Sequence, residues 1–358
     1  MNRLKTKILG INFNNPLLPA SGPSVGSRHS LEFFKESLVG GLVTKTISVK
    51  GAEVKKPCIV AKNGIVFNTE LWSEHSLEEW LTGILPYIKK DLDKPLIVCA
   101  GYTAEDFEIT VPKLDPFADI FEVSTHYGKD ALASLVSKIV SLTEKPVFVK
   151  LSPHVDNYID FVQIAIDNGA RGVVAINSVG PGLVVDLKSK SVLLGMAGGQ
   201  SWISGPAIKP IALNRVFNIR KHFPDLPIIA CGGVENADDV LEFILAGADL
   251  VQMLSSALLK GRQRYDEIVE DLEVRMDYYG IETLKDLRND ALIATPLGPG
   301  QYPVISHELC NKCMVCIKIC PEIAMSMNDQ VHNDTDRCIR CGLCESKCSA
   351  KAISGVIR

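Results

Sequence analysis

The sequence predicts an α/β protein: a (β/α)8 TIM barrel followed by a small C-terminal α+β domain of ferredoxin type. Three observations predict it. Eight short apolar, β-rich runs alternate with longer amphipathic stretches over roughly the first 290 residues, which is the pattern of parallel strands joined by helices. No G-x-G-x-x-G follows an early strand, so an open dinucleotide-binding sheet is disfavoured, and eight units in this length fit a closed barrel. Finally, eight of the eleven cysteines fall in two copies of one spacing near the C-terminus.

The strands are expected, in order, at Leu17–Ser21, Gly41–Lys45, Leu96–Ala100, Ile120–Thr125, Val147–Leu151, Gly172–Asn177, Ile228–Gly232 and Leu250–Leu254. Amphipathic helical patterns lie between most of them, at Ser76–Lys90, Asp130–Leu142, Asn157–Asp167, Ile208–His222 and Asp238–Leu245. A further one, Arg262–Tyr279, follows the last strand. The proline- and glycine-rich stretch Thr295–Pro303 reads as a linker. The expected organisation is a barrel over 1–292, a linker over 293–303 and a cysteine-rich domain over 304–358.

Bulk properties narrow the function class. Hydrophobic residues make up 46% and charged residues 22%, an ordinary globular balance. A net charge of −4 gives no electrostatic reason to expect nucleic acid or a membrane surface as partner. No apolar run approaches the roughly 18 residues of a spanning helix, and the first residues lack a signal-peptide core. Eight cysteines clustered in the tail and three scattered ones fit a reducing interior better than a secreted disulfide scaffold, so the expected compartment is the cytoplasm. Those three, Cys58, Cys99 and Cys231, form no motif and are expected as core packing.

The tail carries the sharpest signal. Cys310, Cys313, Cys316 and Cys320 precede Pro321, and Cys338, Cys341, Cys344 and Cys348 repeat the spacing. In C-x2-C-x2-C-x3-C runs, three thiolates bind one iron–sulfur cube and the fourth crosses to the other. The expected ligand sets are therefore Cys310, Cys313, Cys316 and Cys348 for one [4Fe-4S] cluster, and Cys338, Cys341, Cys344 and Cys320 for a second. A single C-x-x-C would fit zinc or a redox dithiol; a doubled four-cysteine run leaves little room for either.

Barrel chemistry sits where strands end. Ser21 and Gly22 end the first strand, Lys45 and Thr46 the second, Ser124, His126 and Tyr127 the fourth, and Lys150 the fifth. Asn177 and Ser178 end the sixth, Gly232 and Gly233 the seventh, and Ser255 and Ser256 the eighth. A lysine in a barrel mouth needs an anion or electron-rich ring to offset its desolvation. Glycine backbone after strand seven and hydroxyls after strand eight suit a phosphate. Iron–sulfur cubes pass single electrons, whereas most organic substrates exchange two; a flavin does both. FMN is the economical inference.

These strand ends resemble the dihydroorotate dehydrogenase / dihydropyrimidine dehydrogenase family of FMN barrels over residues 9–288. The resemblance is carried by Asn15-Pro16 with Ala20-Ser21-Gly22, Thr44-Lys45-Thr46, Asn68-Thr69-Glu70-Leu71 and Val149-Lys150-Leu151-Ser152-Pro153. It continues through Asn177-Ser178, Ser204-Gly205-Pro206-Ala207-Ile208-Lys209-Pro210 and Gly232-Gly233-Val234. It implies FMN held by Ala20, Ser21, Gly22, Lys45, Thr46, Lys150, Asn177, Ser204, Gly205, Gly232, Gly233, Ser255 and Ser256, with either serine meeting the phosphate. Asn68, Glu70, Ser124, Asn177 and Ser178 would face the substrate. The appended two-cluster domain and the Asn68–Glu74 stretch are most similar to the dihydropyrimidine branch.

The chain departs from the family after strand four. Where the family carries Glu-x-Asn-x-Ser-Cys-Pro or a close variant, this chain reads Glu122-Val123-Ser124-Thr125-His126-Tyr127-Gly128. Ser124 replaces the asparagine and Tyr127 the cysteine, so Tyr127 or His126 becomes the candidate acid/base. A tyrosine of pKa about 10 starts protonated, and a histidine near about 6.5 serves in either direction. The expected function is a flavo-iron–sulfur oxidoreductase acting on a C=C bond beside a carbonyl. Its expected partners are an electron-donor flavoprotein subunit or ferredoxin, and a second copy in a homodimer. A dihydropyrimidine dehydrogenase subunit and an electron-transfer subunit without its own substrate are the alternatives.

Overall fold

The computed structural model describes residues 3–124, 129–155, 157–194, 198–290, 292 and 300–357. The chain divides into two compact units, Met1–Leu292 and Ile293–Arg358.

The first unit is built on eight parallel strands: β1 (Leu17–Pro19), β2 (Leu42–Val43), β3 (Leu96–Ala100), β4 (Ile120–Ser124), β5 (Val147–Lys150), β6 (Gly172–Ala175), β7 (Ile228–Cys231) and β8 (Leu250–Met253). The pairing runs from β2 through β3 to β8 and back to β1. The Gly40 N–H donates to the Leu17 carbonyl at 2.9 Å, which brings the two ends together. This is the expected barrel, and each strand falls within its expected run.

Side-chain alternation divides each strand into an outward and an inward set. The outward set, including Val98, Phe121, Val149, Val173 and Val251, packs under the helices. The inward set forms a separate apolar layer of Leu18, Val43, Ile97, Cys99, Ile120, Phe148, Val174, Ile229 and Leu250. An N-terminal hairpin (Thr6–Ile8 and Ile11–Phe13) adds Ile8 and Phe13 to that layer. Its turn residues, Leu9 and Gly10, both have positive φ (48° and 88°), as a two-residue hairpin turn of type I′ requires. The barrel is thus a filled core at one end. Two residues further along the same strands, the inward positions turn polar: Lys45, Glu122, Lys150 and Gln252.

The helices at Lys129–Val140, Tyr158–Asp167, Lys209–His222, Ala237–Leu245 and Arg264–Tyr279 match the expected stretches to within two residues at each end, two of them starting one residue early. The stretch 77–89 is helical but contains a π turn at Trp80–Ile84, just before Pro86. Pro86 supplies no N–H and crowds the carbonyl four residues earlier, which explains the loosened turn. Helices at Arg28–Glu36 and Ala104–Leu114 lie outside the expected stretches. So does an antiparallel sheet of Val179–Gly182, Ser201–Ser204, Ile65–Asn68 and Ile59–Lys62, in that order. Its inner hairpin turns at Asn63-Gly64, both at positive φ.

The second unit is small and duplicated. Val304–Ile305 pairs with Ile353–Ser354, and Met325–Met327 pairs with Val331–Asn333. Each half carries a four-residue helix, Val315–Lys318 or Leu343–Ser346. The duplication extends to backbone detail: positive φ recurs at Lys312 and Met314, then at Arg340 and Gly342.

Candidate functional site

A cavity of about 1020 Å³ opens where the barrel strands end. Its floor is the polar inward layer, and part of its wall is the antiparallel sheet, through Ile59, Val66, Asn68, Trp202 and Ser204. The walls also bring Trp72 edge-on to Tyr102, and Trp202 to His154, with ring centroids 5.7 and 5.5 Å apart.

Register explains the floor. Ser124 of β4 pairs with Lys150 of β5, so Glu122 lies one inward step below on the neighbouring strand. The Lys150 amine donates to Glu122 Oε1 at 3.3 Å and to Gln252 Oε1 at 3.1 Å. Gln252 Nε2 in turn donates to Glu122 Oε2 at 2.7 Å. The three groups close a triangle that is buried throughout. Burial works against the Lys150 charge, but the surrounding groups, Cys231 and Glu122 foremost, more than offset it and hold the amine above its ordinary range. Cys231 is itself pushed up by burial, so at neutral pH the Glu122 carboxylate is the charge that faces the amine.

A second pair forms at the side. Lys45 donates to Glu70 Oε2 at 2.5 Å, with both side chains nearly buried. The Cys58 thiol donates to Glu70 Oε1 at 2.8 Å. Burial would raise the Glu70 carboxyl, but the hydrogen bonds from Cys58 and Lys45 outweigh it and hold it below the usual carboxylate range. Both lysines therefore sit in buried ion pairs, and neither makes the surface salt bridge that is the ordinary alternative for a lysine at a strand end.

The same cavity holds an anion cradle. Gly232 and Gly233 adopt φ of 134° and 80°. A Cβ on Gly233 would come within 2.8 Å of the Lys209 backbone nitrogen, so only glycine fits there. Ser255 and Ser256 open the helix Ser255–Lys260, whose N-cap, Leu254, makes no side-chain hydrogen bond. Ser255 Oγ donates to Ser204 Oγ at 2.8 Å. Ser256 Oγ is buried and has no hydrogen-bond partner among the described residues, an arrangement that costs free energy unless an acceptor or donor completes it. Glycine backbone and a buried hydroxyl without a partner are donors that suit a phosphate. The residues present fit FMN.

Most of the expected cofactor and substrate residues meet on this cavity: Ala20, Ser21, Gly22, Lys45, Thr46, Lys150, Asn177, Ser204, Gly232, Gly233 and Ser255, together with Asn68, Glu70, Ser124 and Ser178. Gly205 and Ser256 are not among the residues that line it. His126 and Tyr127 lie outside the described residues. Glu122 and Gln252 lie one step inside the strand ends and so escape a search of those ends, although a carboxylate within Ile120-Phe121-Glu122-Val123 and an amide within Leu250-Val251-Gln252-Met253 are readable as polar residues at inward positions. Cys58 and Cys231 do more than pack the core: one touches Glu70, the other lines the cavity.

In the second unit the eight cysteines divide into two sets. Cys310, Cys313, Cys316 and Cys348 line one small cavity, and Cys320, Cys338, Cys341 and Cys344 line another. Among the described residues no three His, Cys, Asp or Glu side chains converge on a point suited to a single metal ion. Thiols ringing a cavity fit a cube, whereas zinc needs sulfurs about 2.3 Å from one centre. The backbone N–H of Ala324 donates to Cys320 Sγ and that of Ala352 to Cys348 Sγ, each at 3.2 Å. Such N–H···S bonds tune cluster potential.

A family model described as dihydroorotate dehydrogenase matches residues 3–276. Two models described as 4Fe-4S binding domains match residues 307–326 and 331–354. Among curated relatives, the dihydroorotate dehydrogenase B (NAD(+)) catalytic subunit of Pyrococcus horikoshii is 33% identical over 81% of this chain and 98% of its own length. That of Exiguobacterium sibiricum is 30% identical over 82% of this chain and 99% of its own. The Petrotoga mobilis subunit is 29% identical over 79% and 98%.

Proposed function

The chain belongs to the dihydroorotate dehydrogenase family, and from that premise we propose a flavo-iron–sulfur oxidoreductase that reduces, or forms, a C=C bond adjacent to a carbonyl. The observation that carries this reading is the barrel-mouth cavity, which combines a phosphate cradle, two lysines in buried ion pairs and a wall of amide and carboxylate side chains. FMN, when bound, supplies exchange of electrons singly with the two [4Fe-4S] clusters and in pairs with the substrate.

The chain's own residues divide the remaining work. Gly232, Gly233, Ser255 and Ser256, backed by Ser204 and Gly205, would hold the phosphate. Lys150, oriented by Glu122 and Gln252, would supply positive charge to the ring, as would Lys45, and Ala20, Ser21, Gly22 and Thr46 would help to hold the group in the same cavity. Asn68, Glu70, Ser124, Asn177 and Ser178 would orient the substrate. Tyr127 or His126 would hold the proton destined for the carbon next to the one that is reduced. Cys310, Cys313, Cys316 and Cys348 would ligate one cluster, and Cys320, Cys338, Cys341 and Cys344 the other.

A second reading, a dihydropyrimidine dehydrogenase subunit acting on uracil or thymine, is favoured by Asn68, Asn177 and Glu70 sharing the cavity wall. The electron donor would be a separate flavoprotein subunit or ferredoxin, and assembly as a homodimer in the cytoplasm accompanies this reading. Among the described residues no helix is long and apolar enough to cross a membrane.

The test is anaerobic isolation, acid extraction of flavin, and a screen of enones, unsaturated acids and pyrimidines for reoxidation of the reduced flavin. FMN at about one per chain, with reoxidation by at least one conjugated carbonyl compound, is the expected result. Protein without flavin ends the proposal.

A further inference from the structure

Cys58 lies at the junction of the antiparallel sheet and the cavity, and its placement follows from strand register. Ile59 pairs with Asn68, and the Thr69 N–H donates to the Cys58 carbonyl at 2.8 Å. The residue before Ile59 is thereby held beside the residue after Thr69, which is Glu70. Cys58 Sγ lies 2.8 Å from Glu70 Oε1, while Lys45 Nζ takes Oε2.

We propose that Cys58 is a positioning residue: its thiol fixes the orientation in which the Glu70 carboxylate faces the substrate. This rests on the reading of Glu70 as a substrate-facing group. A carboxylate bonded on one oxygen alone still rotates about its terminal torsion, which is broad. Donors on both oxygens remove that freedom, and each oxygen keeps lone-pair capacity for the cavity.

Lys56 cannot do the work of the thiol. It is about half exposed, stands 4.0 Å from Glu70 Oε1 and lies closer, at 3.2 Å, to Glu74 at the rim. It meets the sulfur at 3.5 Å instead. A neutral donor also suits the charge balance. Lys45 already matches the Glu70 charge, so a second buried cation would leave the site with an uncompensated positive charge, whereas a thiol adds a hydrogen bond and no charge. Burial first, and the adjacent Glu70 next, push the thiol up, so it keeps its proton and remains a donor.

The test is infrared spectroscopy on the flavin- and cluster-loaded protein. Subtracting the Cys58→Ala spectrum isolates the Cys58 S–H stretch, and subtracting Glu70→Gln isolates the Glu70 carboxyl band through a pH titration. The S–H stretch is expected to move to higher frequency in Glu70→Gln, as its acceptor weakens. The Glu70 midpoint is expected to rise by about one pH unit in Cys58→Ala, a tenfold gain in proton affinity. Cys58→Ser, whose hydroxyl donates, is expected to return the midpoint toward the wild-type value, and it serves for the subtraction should the alanine variant not fold.

An S–H band indifferent to Glu70→Gln overturns the proposal, as does a Glu70 midpoint indifferent to loss of the thiol. Protein that carries no flavin refutes the oxidoreductase reading but leaves both bands measurable, so the two failures are distinguishable.

Discussion

Replacing Glu122 by glutamine tests the architecture of the cavity floor. The substitution keeps shape and leaves an acceptor near Lys150, but removes the charge that faces the amine at 3.3 Å. At an effective dielectric constant of about 20, two unit charges at that separation attract by about 5 kcal/mol. Breaking a buried pair from one side costs about 3–5 kcal/mol in comparable proteins. The new amide also presents N–H groups to Gln252 Nε2, itself a donor, so one edge of the triangle is lost. The expected loss of barrel stability is therefore about 3 kcal/mol or more. Urea unfolding of flavin-free protein, followed by fluorescence, measures it, because Trp72, Trp80 and Trp202 all lie in the barrel unit. The double variant Glu122→Gln/Lys150→Met should recover much of the loss, since no buried charge remains. Because the Lys150 pKa is raised in the folded protein, its contribution is fully present below the ordinary lysine value of about 10.4 and fades only as pH rises through the folded value. In the variant burial of Lys150 is no longer opposed, so its folded pKa falls and the gap between wild type and variant should narrow as pH rises toward the ordinary lysine value. A loss under about 1 kcal/mol, or a double variant no more stable than the single one, would refute the reasoning.

Three further outcomes follow from the same geometry. Gly233→Ala, which forces a Cβ against Lys209 at a φ of 80°, should weaken FMN retention at least about tenfold, and Ser256→Ala should weaken it less, both read by equilibrium dialysis. Cys348→Ser should lower iron from about eight to about four per chain and remove the cluster held by Cys310, Cys313 and Cys316 while sparing the other; loss of the cluster nearest in sequence, that of Cys338, Cys341 and Cys344, would reverse the assignment. Glu70 has a depressed folded pKa, so its stabilisation is complete above the ordinary value of about 4.3 and is lost as pH falls through the folded value. The stability difference between wild type and Glu70→Gln should therefore be constant at neutral pH and close only in acid, as urea midpoints across pH would record.

Much of the fold was legible because it rests on local periodicity. Each barrel strand is a short apolar run whose outward and inward residues are both buried, and such runs stand out whatever their partners. The antiparallel sheet was harder. Ile59–Lys62 and Ile65–Asn68 are half-exposed strands, and Val179–Gly182 contains two glycines and a proline, a composition that argues against a strand. The Asn63-Gly64 turn was nonetheless a readable hairpin signal. The site divides the same way. Lys45, Lys150 and the Gly232-Gly233 turn mark themselves by falling at strand ends, but their partners do not: Glu122, Gln252 and Cys58 are 28, 102 and 12 residues from the groups they bind.

The sequence by itself determined the eightfold alternation, the positions of the strand ends and the two four-cysteine sets, because each depends on residue types at short spacing along one chain. Tertiary structure alone decided which charges are neutralised. Closing the barrel sets Lys150 between a carboxylate from one strand and an amide from another, and the antiparallel sheet carries a thiol against Glu70. Whether a buried charge is stabilised depends on distances of about 3 Å between distant parts of the chain, and no spacing along the sequence encodes those distances.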